Sequence, residues 1–271
     1  MQGYYKKYMN IDWTKITPLL EPFKLYDWDL QDLDRMVDAA LEKWVVKDEK
    51  DFKIYGIEQP VDIQIEDMDC NNPPTHLRRV IGYVDLWGCY DRPVVIDWKT
   101  AGTLDYKWEE RLRQSWQGRM YAEALQASVV VYRGVTRDGK TKEILVEYDL
   151  ADNQVRVRRY LNQMWQMRQA LKDDLIWPQS KPFACGSYGC DCAFKKDCFL
   201  GNEPLQKLDI EPNFSYSGLE RFALCPEKYR RSKLDEAKGE ESDSTNMGKA
   251  FHLVMAEVYS QIYGISYDGR H

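Results

Sequence analysis

A mixed α/β core is the fold class this sequence predicts, and three observations predict it. An amphipathic helical stretch is followed by three β-rich runs. A second helical stretch leads into a pair of β-rich runs around an Asp-Gly turn, and a long third helix follows. The order helix, three strands, helix, two strands, helix suits a central sheet covered by helices.

The first helix is read from Asp29 to Lys47 (DLQDLDRMVDAALEKWVVK), where apolar residues recur at helical spacing. Ile57 to Ile65 alternates as a strand does, with Pro60 suited to an edge or a bulge. Leu77 to Trp87 reads as a second strand and Val94 to Trp98 as a third, joined as a hairpin by turn residues from Gly88 to Pro93. One helix is expected from Tyr106 to Ala127. Strands at Val129–Val135 and Glu143–Tyr148 flank the Asp138-Gly139 turn, a second hairpin. Ala151 to Asp173 is a long helix, and a final helical block runs from Ser217 to Tyr263. The expected organisation is a helical region at 1–56, a core at 57–180, a cysteine-rich loop at 181–202 and a C-terminal helical block at 203–271.

The 271 residues suffice for a sizeable core without disulfides. Hydrophobic content of 44% and charged content of 30% exclude a disordered chain, and no run approaches the ~20 apolar residues of a membrane span. Met1 to Asn10 has no apolar signal region, so a cytoplasmic location is expected. The net charge of −6 lacks the basic balance of a non-specific nucleic-acid binder. Local basic runs exist at Arg156, Arg158 and Arg159 and at Lys228, Arg230, Arg231 and Lys233, each of which is also what a solvated helix face looks like.

The chemistry concentrates in Gly82-Tyr83-Val84-Asp85-Leu86 and Val94-Val95-Ile96-Asp97-Trp98-Lys99-Thr100. Side chains alternate along a strand, so Asp97 and Lys99 share a face, and Asp85 on the neighbouring strand can reach it. Two carboxylates beside a lysine suit phosphodiester hydrolysis. The acids hold a hard cation, the cation lowers the pKa of a bound water, and the lysine orients that water or steadies charge on the phosphate.

GYVDL and VVIDWKT resemble the second and third motifs of the RecB-like branch of the PD-(D/E)XK nucleases, which includes AddB-type and CRISPR-associated exonucleases. The resemblance implies a restriction-endonuclease-like mixed sheet and a DNA nuclease using Mg²⁺ or Mn²⁺ at Asp85 and Asp97. In that family the backbone carbonyl at the position of Trp98 also ligates the metal. A Gln-x-x-x-Tyr motif on the next helix is matched by Gln117 and Tyr121, which at i and i+4 lie on one helix face. The family's metal-binding histidine, in Gly-x-x-x-His, belongs on an opening helix. Residues 1–80 hold only His76, in a Pro-Pro-Thr loop. Gly248-Lys249-Ala250-Phe251-His252 stands instead near the other end. Before it, Ser215-Tyr216-Ser217-x-Leu219-x-x-Phe222-x-x-Cys225-Pro226-x-x-Tyr229 is similar to the family's opening segment. The simplest expectation is a circular permutation that brings His252 back to the sheet; the competing one is a second, truncated domain from Asn213.

Of seven cysteines, Cys185, Cys190, Cys192 and Cys198 crowd together, a pattern that points to metal in a reducing compartment. Iron–sulfur members of the branch have one cysteine in the opening segment, matched by Cys225, and three near the end. Cys192 and Cys198 fit the last two positions, but the preceding one is Gly189, with Cys190 displaced by one and Cys185 a further candidate. The resemblance implies a [4Fe–4S] cluster, and structural Zn²⁺ suits four thiolates equally. Cys70 and Cys89 are read as structural. The implied substrate is DNA, single-stranded or at duplex ends, in repair, recombination or phage- or CRISPR-type processing, alongside a helicase or recombination partner. Two other classes stay open: a non-cleaving DNA-binding module on the same fold, and a structural zinc protein.

Overall fold

The computed structural model describes residues 11–65, 78–171, 213–234 and 243–267. The chain divides into two compact units, one of Met1–Val61, Tyr83–Gln154 and Glu241–His271, the other of Asp62–Gly82 and Val155–Glu240.

In the first unit α1 (Trp13–Leu20) starts on Asp12, whose carboxylate accepts the Thr14 N–H at 3.1 Å. The expected amphipathic helix forms as α2 (Asp27–Ala40), a π-type turn (Leu41–Val45) and α3 (Val46–Asp51). Its stripe of Leu33, Met36, Val37, Ala40, Leu41 and Trp44 is buried.

Strands β1 (Lys53–Ile65), β2 (Arg78–Cys89), β3 (Pro93–Thr100), β4 (Val129–Val135) and β5 (Thr141–Glu147) are ordered β1-β2-β3-β4-β5. β1 takes the edge, where a proline such as Pro60 is tolerated. β2 and β3 form the expected antiparallel hairpin with Leu86 opposite Ile96. β3 and β4 run parallel, Asp97 beside Tyr132, and need the helical crossover that intervenes. β4 and β5 are antiparallel, turning at Gly139, whose φ of +79° favours glycine.

The single helix expected from Tyr106 to Ala127 is two: α4 (Tyr106–Arg113) and α5 (Trp116–Leu125). Ser115 causes the break, because its hydroxyl accepts the Gln117 N–H at 3.2 Å and starts a new helix. α5 lies against β3 and β4. It comes so close at Gly118 that a Cβ there would sit 2.0 Å from the Tyr132 hydroxyl oxygen.

The other apolar layer joins α2 to α9 (Asp243–Tyr263), with Met247, Ala250, Phe251, Val254, Met255, Val258 and Tyr259 buried in one cluster with Leu86, Val94, Ile96 and Trp98. Inside this layer is a buried ionic knot. Arg133 of β4 donates from Nη2 to Asp48 Oδ1 of α3 at 2.8 Å, and its Nη1 pairs with the other oxygen. It also donates to Tyr259 Oη at 3.2 Å, Tyr90 Oη at 3.0 Å and Glu143 Oε2 at 2.9 Å. Both tyrosine hydroxyls donate to Asp48, and the guanidinium lies 5.5 and 5.4 Å from the Trp44 and Trp98 ring centres.

In the second unit, β6 (Asn213–Ser215), which the sequence does not announce, pairs in parallel with Arg79–Ile81 of β2. Also there are most of α6 (Leu150–Leu171), α7 (Tyr216–Leu224) and α8 (Pro226–Leu234). Three short helical and strand pieces thus replace a continuous start to the C-terminal block. Phe214, Phe222 and Tyr229 pack together, with the Arg168 guanidinium 4.2 Å from the Phe214 ring centre.

Two stability outcomes follow. Arg133→Met should destabilise the protein by about 3–5 kcal/mol in urea unfolding, because it strands a buried Asp48 charge; Asp48→Asn combined with it should recover part of the loss. Gly118→Ala should also destabilise, although helix propensity alone favours alanine by about 1 kcal/mol, since overpacking against the buried Tyr132 costs about 1–3 kcal/mol.

Candidate active site

Alternation along β2 and β3 sets the first three residues. Val84, Leu86 and Gly88 are buried, which leaves Asp85 on the opposite face; Asp97 and Lys99 share theirs. The pairing of Leu86 with Ile96 brings Asp85 level with Asp97. Asp85 Oδ2 accepts the Trp98 N–H at 2.6 Å. Lys99 Nζ lies 2.6 Å from Asp97 Oδ2. Trp98 sends its indole into the other layer, edge-on to Trp44 and Phe251.

Lys99 also donates to Gln117 Oε1 at 3.0 Å. Gln117 Nε2 donates to Tyr121 Oη at 2.7 Å, and that hydroxyl donates to the Tyr83 carbonyl at 2.7 Å. The i, i+4 pair on α5 therefore runs a chain of hydrogen bonds from the lysine to the β2 backbone, two residues before Asp85.

His252 comes from the far end of the chain. Its Nδ1 is 3.1 Å from Asp85 Oδ1. The glycine four residues earlier has a packing reason: a Cβ on Gly248 would lie 3.0 Å from Thr100 Oγ1 at the end of β3. A bulkier residue would press on Thr100 where the helix meets the strand.

A third acidic residue, Glu58, was not legible as a site residue. It is 7% exposed and sits in β1 with a left-handed φ of +46°. Before it the even positions 54 and 56 are buried; beyond it the odd positions 61 and 63 are. The face therefore switches here, as at a β-bulge, which re-aims one side chain. Ligand atoms of Glu58, Asp85 and His252 all lie within 4.8 Å of one another, the one such group among the described residues. Asp97 is outside that trio and paired with Lys99. The only sequence signal for Glu58 was an acid in an otherwise alternating strand two residues before a proline.

The charges are crowded. Burial, then the neighbouring Asp85 and, more weakly, Asp97, push the Glu58 carboxyl up to about 8, against the pull of His252. Burial also lifts Asp97 to about 6, with Lys99 opposing and Asp85 reinforcing. Burial would raise Asp85 too, but His252, Lys99 and the Trp98 N–H together hold it below the usual carboxylate range. Burial would lower His252, yet the Asp85 carboxylate draws it upward. Three carboxylates facing one lysine and one imidazole form a donor set of hard oxygens and one nitrogen that fits a divalent cation.

Other expected residues lie elsewhere. Cys225 is buried in the second unit, its Sγ accepting the Lys228 N–H at 3.4 Å. Cys185, Cys190, Cys192, Cys198, Cys70 and His76 fall outside the described residues. The basic run near the end is not a solvated face throughout: Arg230 and Arg231 are buried and both pair with buried Glu227, at 2.6 and 3.0 Å. Arg156, Arg158 and Arg159 are exposed on α6.

The family described as the PD-(D/E)XK nuclease superfamily matches residues 11–199 and 213–269, and the chain belongs to it. The mixed sheet between helices and the carboxylate–lysine pair are what that membership entails. No curated protein matches the chain. A solved structure, "Crystal structure of SSO0001", aligns with 16% identity and a TM-score of 0.31, covering 49% of this chain and 63% of that one. The chain thus spans less than two thirds of that protein's length.

Cation binding should expel protons, because a ligand carboxyl must be ionised to bind. Calorimetric titration with Mn²⁺ at pH 7, in buffers of different ionisation enthalpy, should show at least one proton released per ion, from Glu58 and from His252, whose proton Asp85 favours. Affinity should rise from pH 6 to pH 8, and Glu58→Gln should remove part of that rise; a flat profile in the wild type would contradict the arrangement.

Proposed function

We propose that this protein is a RecB-like, divalent-metal-dependent deoxyribonuclease that hydrolyses phosphodiester bonds in DNA. The observation that carries the proposal is the meeting of Asp85, Asp97 and Lys99 with His252, from opposite ends of the chain, beside Glu58. The order of the motifs supports a circularly permuted arrangement, since the Gly-x-x-x-His helix follows the strands and yet packs on them.

Glu58, Asp85 and His252 would hold the ion, with Asp97 and the Trp98 carbonyl as further donors; Mg²⁺ or Mn²⁺ suits this set, imidazole favouring Mn²⁺. When bound, the cation supplies Lewis-acid polarisation of the phosphate and a water of lowered pKa. Lys99, braced by Asp97 and Gln117, orients the attacking water and steadies the developing charge. Gln117 and Tyr121 act through Lys99 as positioning residues. The Trp98 N–H holds Asp85 at its pairing with His252 and so keeps both ligands aimed.

Labelled single-stranded and duplex DNA incubated with Mg²⁺ or Mn²⁺ should be cleaved. Asp97→Asn and Lys99→Ala should each lower the rate roughly 10²–10³-fold. Gln117→Ala should lower it about 10–100-fold, as loss of a supporting contact does. Wild-type inactivity with both cations, or cleavage of RNA alone, would overturn the assignment.

We also assign a bound [4Fe–4S] cluster to Cys192, Cys198, Cys225 and one of Cys190 and Cys185, with Zn²⁺ the competing occupant, on the cysteine spacing and the family resemblance. Anaerobically purified protein should be brown with broad visible absorption; colourless protein containing zinc would reverse the assignment.

A further inference from the structure

Tyr83, Asp85 and Trp87 occupy alternate positions of β2 and so share one face, each about 6.8 Å from the next along the strand. A catalytic carboxylate thus stands between two aromatic side chains. Tyr83 is 42% exposed. On the other side, Trp87 is covered edge-on by Tyr55 of β1, with ring centres 5.2 Å apart, and Tyr55 is itself 44% exposed. Lys53 Nζ lies 5.4 Å from the Tyr55 ring centre, adding a cation at the same end. A single exposed ring is ordinary on a protein surface; here two lie on the sheet face that carries Asp85, one on β2 and one on β1.

We propose that Tyr83 and Tyr55 are base-stacking platforms on either side of the cleavage site, so that an unpaired strand crosses β2 and β1 with the phosphate to be cut over Asp85. The inference rests on the nuclease reading above and adds the residues that select the substrate. Every base has a π-face, so the rings bind without sequence preference. A base inside a duplex has both faces already covered and offers nothing to a tyrosine. Lys53, beside the Tyr55 ring, adds charge complementary to the nucleic-acid backbone at one end of this face.

The test compares binding of a labelled oligothymidylate with that of an abasic strand of equal length, by fluorescence anisotropy with Ca²⁺ present. Wild type should prefer the base-bearing strand. Tyr83→Ala and Tyr55→Ala should each weaken oligothymidylate binding about 5- to 150-fold and shrink that preference, whereas Tyr83→Phe and Tyr55→Phe keep it. Equal binding of the two strands by wild type, or alanine variants that keep the preference, would overturn the proposal. Cleavage is followed separately: base-dependent binding without hydrolysis under Mg²⁺ or Mn²⁺ would remove the nuclease reading while leaving the platforms standing as a strand-binding face. Hydrolysis with no base dependence would do the reverse.

Discussion

Arg133 and Asp48 are both almost wholly buried, and the rest of the nuclease unit is organised around their contact. The cost of taking two charges out of water is met only if every donor and acceptor is satisfied. That requirement recruits Tyr259 from α9, Tyr90 from the β2–β3 turn and Glu143 from β5. Four separate parts of the chain are thereby locked to β4. α9 could slide along an apolar surface at little cost; with Tyr259 hydrogen-bonded to Asp48 and Arg133 it cannot. His252, seven residues and about two turns before Tyr259, is delivered to Asp85 by that anchor.

At the other end of the same helix the control is steric. Gly248 lets the backbone approach Thr100, and His252 one turn on then meets Asp85. The Gly-x-x-x-His pattern is thus a distance requirement, a small residue and a ligand on one helix face. The Gln-x-x-x-Tyr pattern on α5 has a parallel logic. Its two side chains link Lys99 by hydrogen bonds to the backbone of β2, the strand carrying Asp85.

The electrostatics explain why such bracing is needed. Glu58, Asp85 and Asp97 crowd together in a site poor in solvent, and burial, reinforced by the neighbouring Asp85, lifts Glu58 to about 8. Without strong positional constraints the carboxylates would swing apart. The left-handed backbone at Glu58, unfavourable for a non-glycine residue, is one such constraint, and the edge position of β1 tolerates the bulge that carries it.

How much of this was legible depended on the range of the physics involved. Local periodicity alone determined the strand pairs, both hairpins and the shared face of Asp97 and Lys99, because alternation and turn chemistry act over a few residues. Gln117, Tyr121 and His252 were recognisable only through the resemblance to the family's motifs, since helical spacing by itself reads the same for an ordinary helix face. What only the tertiary structure decided is what depends on contacts across the chain. Glu58 joins the site because a bulge reverses the face of β1, an event that alternation cannot foresee. Arg230 and Arg231 became internal partners of Glu227, since a charge run reads the same whether water or a carboxylate faces it. The break at Ser115 was written locally, in a hydroxyl able to cap, but helical spacing continued through it and hid it. The sequence by itself thus singled out Asp85, Asp97 and Lys99 and set their shared face; folding put His252 and Glu58 beside them, because a long-range ion pair and a left-handed residue in β1, not local propensity, bring them there.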